Sequence, residues 1–163
     1  MDCRHIQFSL DKERVDLHQL QNLFKITAFW GQDRSLEDLA LAIRHSDPVA
    51  TVWDQAHLIG FARAISDGVY RATLWDVLIH PRYQGAGLGR KLVQTVLAHP
   101  HLNRVERVYL MTTHQQKFYE RIGFRENPTT TMLLTTSPEV DEILEILPSA
   151  VNPLEESALP ELA

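Results

Sequence analysis

The sequence has one cysteine and lacks any run of eighteen apolar residues. The single thiol, Cys3, cannot form a disulfide within the chain, so nothing indicates a disulfide-stabilised secreted fold. The missing apolar run argues against a membrane-spanning helix. Residues 1–17 mix acidic, basic and apolar side chains, which is typical of neither a secretory signal nor a transit peptide. We therefore expect a cytoplasmic protein that does not bind membranes.

A basic stripe interleaved with aromatic side chains is also missing, which argues against nucleic-acid binding. The net charge of −5 is unevenly distributed, because residues 137–163 contain seven acids, four of the eight prolines and no lysine or arginine. This composition predicts an acidic, flexible tail in which only the stretch VDEILEIL favours a short helix. Residues 1–136 are predicted to form a single domain, since two halves would each be near the lower size limit for a core.

Residues 1–136 alternate between strand and helix patterns. Strands are predicted at HIQFSL, VATVWD, HLIGFARAIS, YRATLWDVLIH, RVYLMT and TTTMLLTT, and helices at VDLHQLQNLFKITAF, LEDLALAIRHS, LGRKLVQTVLAH and QQKFYERI. Asp11 is the expected cap of the first helix and Ser35, with Asp38, the expected capping pair of the second. Asp67-Gly68 predicts a tight hairpin. The predicted fold class is a mixed α/β sandwich.

The stretch HPRYQGAGLGRKL, residues 80–92, joins a predicted strand to a predicted helix. Gly85, Gly87 and Gly89 would leave backbone N–H groups open to an anion at the positive end of the helix dipole. Leu92 stands where a Walker loop needs Ser or Thr, and the third glycine comes one residue early for a dinucleotide fingerprint. Alone, the glycines are equally consistent with a tight connection between strand and helix.

Two motifs together resemble the GNAT N-acetyltransferase superfamily. The segment QGAGLG, residues 84–89, is similar to that superfamily's acetyl-CoA signature, and FYERIGF, residues 118–124, is similar to its second hallmark. The stretch from Phe29 to Phe124 further resembles plastid and cyanobacterial members described as serotonin (arylalkylamine) and protein-lysine acetyltransferases. The resemblance implies a central, mostly antiparallel sheet of about six to seven strands flanked by about four helices.

The resemblance also implies a binding mode for acetyl-CoA. The strand around residues 75–79 would splay from the strand at residues 107–112, so that the pantetheine arm pairs with exposed backbone groups, as in β-augmentation. The pyrophosphate would lie on the loop amides with Arg90 and Lys91 nearby. The implied contact residues are Val77, Leu78, Ile79, Gln84, Gly85, Ala86, Gly87, Leu88, Gly89, Arg90, Thr112 and Tyr119.

Two residues are the catalytic candidates. By the resemblance, Tyr119 is the general acid that protonates the leaving thiolate, with core packing as its alternative role. Asp76 is an acid in the apolar strand ATLWDVLI, where a buried carboxylate is costly unless it is paired or faces a cleft. Strict alternation places it on one face with Leu74 and Leu78, where it is expected to face the acceptor site. By the resemblance, Asp76 acts as base or binds the amine, with a structural carboxylate as the alternative.

Several features leave the function open. Many relatives carry Asn or Asp where this chain has Thr112, and His114 is an alternative base. A non-catalytic GNAT module that binds acetyl-CoA or a partner therefore remains the alternative to direct acetyl transfer onto a primary amine, either a small molecule or a protein lysine. Trp30, Trp53 and Phe61 are candidates for lining an acceptor pocket.

No metal site is expected from the histidines. His80, His99 and His101 lack paired spacing on one element and have no carboxylate or thiolate companion in the sequence pattern. The oligomeric state is predicted only as monomer or homodimer.

Overall fold

The computed structural model of the protein describes residues 5–129 and 131–134. One five-stranded sheet runs in the order β1-β2-β3-β4-β5. The strands are β1 (Ile6–Ser9), β2 (Val49–Asp54), β3 (His57–Ser66), β4 (Arg71–Ile79) and β5 (Arg107–Tyr109), and the helices are α1 (Leu17–Thr27), α2 (Leu36–Arg44), α3 (Leu88–Leu97) and α4 (Gln116–Glu120). Short 3-10 turns lie at Lys12–Arg14, Phe29–Gly31 and Pro81–Tyr83.

The sheet is smaller than the predicted six to seven strands. Residues 129 and 131–134 of the predicted last strand are not in a strand, and residues 130 and 135–136 lie outside the described part. The predicted helix VDEILEIL and the acidic tail also lie outside it. The first four strands are antiparallel, whereas β5 is parallel to β4 because the chain returns through α3 before pairing again. The four predicted helices are confirmed.

The helix starts are set by short polar side chains. Asp16, rather than the predicted Asp11, caps α1 by accepting from the backbone N–H of Gln19 at 3.0 Å. Asp11 instead caps the preceding 3-10 turn. Ser35 caps α2 as predicted, accepting from the backbone N–H of Asp38 at 3.0 Å. The return contact differs from the expected box, since the Asp38 carboxylate accepts from the Ser35 hydroxyl at 2.7 Å.

Two apolar cores cover the two faces of the sheet. Helix α3 closes one core with Leu92, Val93 and Val96, and helices α1 and α2 close the other with side chains that include Leu20 and Phe24. Each fully buried side chain of this size contributes roughly 1.5–3 kcal/mol relative to an exposed one. Strand β4 contributes to both cores and is therefore held from both sides.

A bulge at Asp76 breaks the alternation of β4. Asp76 has φ +54, and the pairing of β3 with β4 shifts between Phe61 and Arg63. The predicted shared face of Leu74, Asp76 and Leu78 is therefore wrong. Leu74 packs in the α3 core, whereas Leu78 packs in the core under α1 and α2. One extra residue in β4 reverses the faces beyond the bulge.

The compact unit that contains every strand and helix named above ends at Glu126. The predicted boundary after residue 136 lies outside the described residues. Within the described residues, no helix combines the length and apolar character needed to cross a membrane.

Candidate active site

The sheet opens between β4 and β5. The two strands pair only at Arg71–Thr73 and Arg107–Tyr109. In the described part of the chain, residues 74, 75, 78 and 79 pair with β3, and none of residues 74–79 pairs with a strand on the β5 side. This segment contains the predicted contact residues Val77, Leu78 and Ile79. An unpaired strand edge offers N–H and C=O groups that an extended ligand can bind.

The glycine loop follows at the end of this open edge. Gly85 has φ +78 and Gly87 has φ +79, both in the left-handed region that favours glycine. A Cβ added at either position meets nothing within 4 Å, so the space beside both is open. Gly87 caps α3 without any side-chain hydrogen bond. Among the described residues, no acceptor contacts the backbone N–H groups of residues 85–90.

The base of the loop is held by side chains. The Gln84 amide donates to the Ile79 carbonyl at 2.9 Å. The Tyr83 hydroxyl donates to the Asp54 carboxylate at 2.5 Å, and this hydrogen bond raises the pKa of Tyr83. These contacts tie the loop to the sheet while leaving its own amides open.

The charge beside the loop is positive. Arg90 is exposed in the first turn of α3, where the helix dipole is also positive. Lys91 lies over the ring of Phe8 on β1, with Nζ 4.5 Å from the ring centroid. The predicted pair of cations is therefore divided, since Arg90 faces solvent near the loop and Lys91 packs on an aromatic ring.

Helix α4 brings Tyr119 to the same region. A Cβ added at Gly89 would lie 3.4 Å from the Phe118 ring, so α4 packs closely on the start of α3. Tyr119 packs edge-on against Phe118 and Phe124, with ring centroids 4.9 and 5.8 Å away. Burial raises the pKa of Tyr119 to about 12. The phenol therefore carries its proton throughout the neutral range.

The loop before α4 contains the two other polar candidates. Thr112 Oγ1 accepts from the backbone N–H of Gln115 at 3.1 Å, so its hydroxyl stabilises the approach to α4. His114 is exposed to solvent.

Asp76 forms a buried ion cluster. Its side chain is 2% exposed, and Oδ2 accepts from Arg63 Nε at 2.5 Å and from Arg34 Nη1 at 3.1 Å. The Arg34 guanidinium also stacks on Phe24 and Trp30, with centroid distances of 4.5 and 4.9 Å. Within the described residues, Asp76 Oδ1 accepts from no side chain. Two cations offset the cost of burying this carboxylate.

The three aromatic candidates for lining an acceptor pocket differ in how deeply they are buried. Trp53 and Phe61 are 7% and 1% exposed and pack in the core under α1 and α2. Trp30 is 42% exposed, so of the three it is the one with a face open to an acceptor.

Sequence reasoning missed Arg34 and Arg63. Arg63 lies in the apolar strand HLIGFARAIS, and Asp76 lies in the apolar strand that pairs with it, so opposite charges in adjacent strands were a readable signal. No comparable sequence pattern indicated a contact between Arg34 and Asp76. Arg34 lies shortly after the 3-10 turn at Phe29–Gly31 and contacts Asp76 across 42 positions of sequence.

In the structure, two of the histidines lie close to a carboxylate that the sequence pattern did not indicate. His99 and His101 lie together with Asp47, whereas His80 accepts from the backbone N–H of Arg82 at 3.2 Å and caps a 3-10 turn. The carboxylate companion is therefore supplied from the segment that leads into β2.

Comparison with known proteins matches residues 16–124 to the acetyltransferase (GNAT) family model. The chain is 35% identical to an uncharacterized N-acetyltransferase ycf52 of Gracilaria tenuistipitata var. liui, over 70% of this chain and 64% of that protein. It is also 35% identical to histone acetyltransferase TAP1 of Glycine max, over 70% of this chain and 54% of that protein. The chain thus spans less than two thirds of the length of these two curated relatives.

A solved structure supports the same assignment. The GNAT-family protein from Xanthomonas campestris pv. campestris superposes with a TM-score of 0.70 at 29% identity, covering 80% of this chain and 94% of that one. The residues that the family model matches include the glycine loop and Tyr119. The chain belongs to the acetyltransferase (GNAT) family.

Proposed function

We propose that the protein transfers the acetyl group of acetyl-CoA directly to a primary amine. The observation that supports this most strongly is the row of open amides at residues 85–90, at the start of α3 and beside the unpaired edge of β4. Such amides suit the pyrophosphate of coenzyme A, and the open space at Gly85 and Gly87 suits its close approach. Val77, Leu78 and Ile79 would pair with the pantetheine arm.

Tyr119 is the proposed general acid. Attack of the neutral amine on the thioester carbon forms the C–N bond, and the C–S bond then breaks. Tyr119 would donate its phenolic proton to the departing sulfur, since the phenol is protonated at neutral pH. The only cysteine lies outside both motifs, so a covalent acyl-enzyme on Cys3 has no support.

Asp76 is proposed to act on the acceptor side. Its Oδ2 is engaged by two guanidiniums, which leaves Oδ1 to accept a hydrogen bond from the amine or from a water that takes the amine proton. Trp30 stacks on Arg34 beside this cluster and has an open face. An aromatic amine and the side chain of a protein lysine both fit these features. The relative from Glycine max named a histone acetyltransferase adds support for the lysine.

Acetyl transfer is tested by thiol release with a panel containing tryptamine, a polyamine and a lysine peptide. In Tyr119→Phe, which keeps the ring, kcat should fall about 10²-fold with little change in acetyl-CoA affinity. In Asp76→Asn, a lost base would lower kcat for every amine, whereas a lost amine contact would mainly raise KM.

Three results would contradict the function or one of the residue roles. Acetyl-CoA binding without turnover on any amine would favour the non-catalytic module. Unchanged turnover in Tyr119→Phe would make Tyr119 a packing residue. If Asp76→Asn lowers only the melting temperature, its carboxylate is structural.

A further inference from the structure

A second cluster of reactive side chains lies outside the residues assigned to the active site. Asp47 lies two residues before the strand β2, and His99 and His101 follow the end of α3. Their ligand atoms all lie within 4.8 Å of one another. None of the three contributes to the glycine loop, the open edge of β4 or the cluster around Asp76.

The two imidazole rings face each other and the carboxylate. His101 Nδ1 lies 2.6 Å from Asp47 Oδ2, and the rings of His99 and His101 meet edge-on with centroids 5.1 Å apart. His99 Nδ1 accepts a long hydrogen bond of 3.3 Å from the backbone N–H of His101. Both Nδ1 atoms are therefore turned toward the other members of the cluster.

The backbone that carries these side chains is fixed on both sides. The N–H of Asp47 donates to the Ala64 carbonyl at 2.9 Å, and the N–H of Leu102 donates to the His99 carbonyl at 2.8 Å. Leu102 is buried at 2% exposure and anchors the loop after α3 in the core. The ligand atoms are brought together by backbone contacts that do not depend on an ion.

The chemistry of the three ligands is selective. Two imidazole nitrogens and one carboxylate oxygen suit Zn²⁺ and similar divalent transition metals, whereas Mg²⁺ and Ca²⁺ favour all-oxygen sites. The side chains of Asp47 and His101 are 53% and 61% exposed, so water can complete the coordination. Coordination would replace the contact between His101 and Asp47 and the long hydrogen bond from the His101 N–H to His99 Nδ1.

We propose that Asp47, His99 and His101 form a binding site for Zn²⁺ or a similar divalent transition metal. The bound ion links the segment before β2 to the loop that leads into β5. Since β5 forms one side of the opening in the sheet, the ion stabilises the frame of the active site and takes no part in the chemistry. This inference is independent of the proposed function.

The test uses untagged protein carrying Cys3→Ser, so that neither a histidine tag nor the thiol contributes. After removal of metal with a chelator, calorimetric titration with ZnCl2 should give one ion per chain, and the melting temperature should rise. His99→Ala and His101→Ala should each weaken binding at least about 10-fold. His18→Ala, at an exposed position on α1, is the matched control and should bind as the parent does.

Two outcomes would overturn the proposal. One is the absence of a saturable site with a stoichiometry of one. The other is zinc binding that is unchanged in His101→Ala or equally weakened in His18→Ala, which would indicate nonspecific surface binding. Circular dichroism of each variant separates loss of the site from loss of the fold.

Discussion

Two glycine turns in this molecule share a backbone geometry and differ in what their amides contact. Gly68 in the β3–β4 hairpin has φ +76 and Gly87 before α3 has φ +79, and a Cβ at either would meet nothing within 4 Å. In the hairpin, Asp67 Oδ1 accepts from the N–H groups of Val69, Tyr70 and Arg71 at 2.9, 2.7 and 3.0 Å. In the glycine loop, no described residue supplies an acceptor to the backbone N–H groups of residues 85–90.

The difference explains why one turn is structural and the other is a candidate binding site. Converging amides stabilise negative charge, and the hydrogen bonds from Arg71, Val69 and Tyr70 lower the pKa of Asp67. In the hairpin, the anion that the amides bind is thus the Asp67 carboxylate of the chain itself. The glycine loop has the same kind of donors with an adjacent helix dipole and Arg90, so its anion is expected to come from a ligand.

The largest effect is expected when the loop is given an anion of its own. Ala86→Asp places a carboxylate among the open amides, as Asp67 is placed in the hairpin. Repulsion of the pyrophosphate should weaken acetyl-CoA binding about 10²-fold, because juxtaposed like charges cost several kcal/mol. Isothermal titration calorimetry measures the affinity for acetyl-CoA. Ala86→Asn, which has the same shape and no charge, should bind far better, and equal losses in the two variants would contradict the electrostatic account.

A smaller effect should follow from adding a side chain at each glycine. Gly87→Val and Gly68→Val both force a branched residue into left-handed backbone, at a cost of roughly 1–2 kcal/mol or more. The two melting temperatures should therefore fall by similar amounts. Only Gly87→Val should also weaken acetyl-CoA binding, by about 10-fold or more, since it fills the space beside the amides. Comparable affinity in the two folded variants would remove the special role of the loop.

The smallest expected effect is a change in stability that arises from the β3–β4 hairpin alone. Because the folded pKa of Asp67 is lowered, its stabilisation is present above the unfolded pKa of about 3.9 and is lost as pH falls through the folded value. The melting temperature of Asp67→Asn should therefore be lower than that of the wild type near pH 7. The difference between the two melting temperatures should disappear in strong acid. Melting curves from pH 2 to 7 check this. A gap independent of pH would mean that the charge of Asp67 does not stabilise the turn.

Features encoded locally were predictable from the sequence. The helical stripe of α3, the cap at Ser35 and the glycine loop follow from residue spacing alone, and each is present. Helix starts were harder to predict, because both Asp11 and Asp16 are favourable caps, and in the structure Asp11 begins the 3-10 turn while Asp16 begins α1.

Features that depend on long-range contacts were not predictable. The bulge at Asp76 reverses the faces of β4, and no periodicity in ATLWDVLI announces an inserted residue. Arg34 reaches Asp76 across 42 positions of sequence, and Asp47 meets His99 and His101 across more than 50. Both of these contacts were hidden because sequence patterns report neighbours along an element and not partners across the fold.

Binding of the coenzyme A phosphates by the amides of residues 85–90 can be observed residue by residue. Isotope-labelled wild-type protein is titrated with acetyl-CoA while the amide resonances are followed. Large shifts are expected at Gly85, Gly87 and Gly89 and none at Val69 and Tyr70, whose amides already contact Asp67. Saturable binding that leaves the glycine-loop amides unmoved would show that these amides do not bind the phosphates.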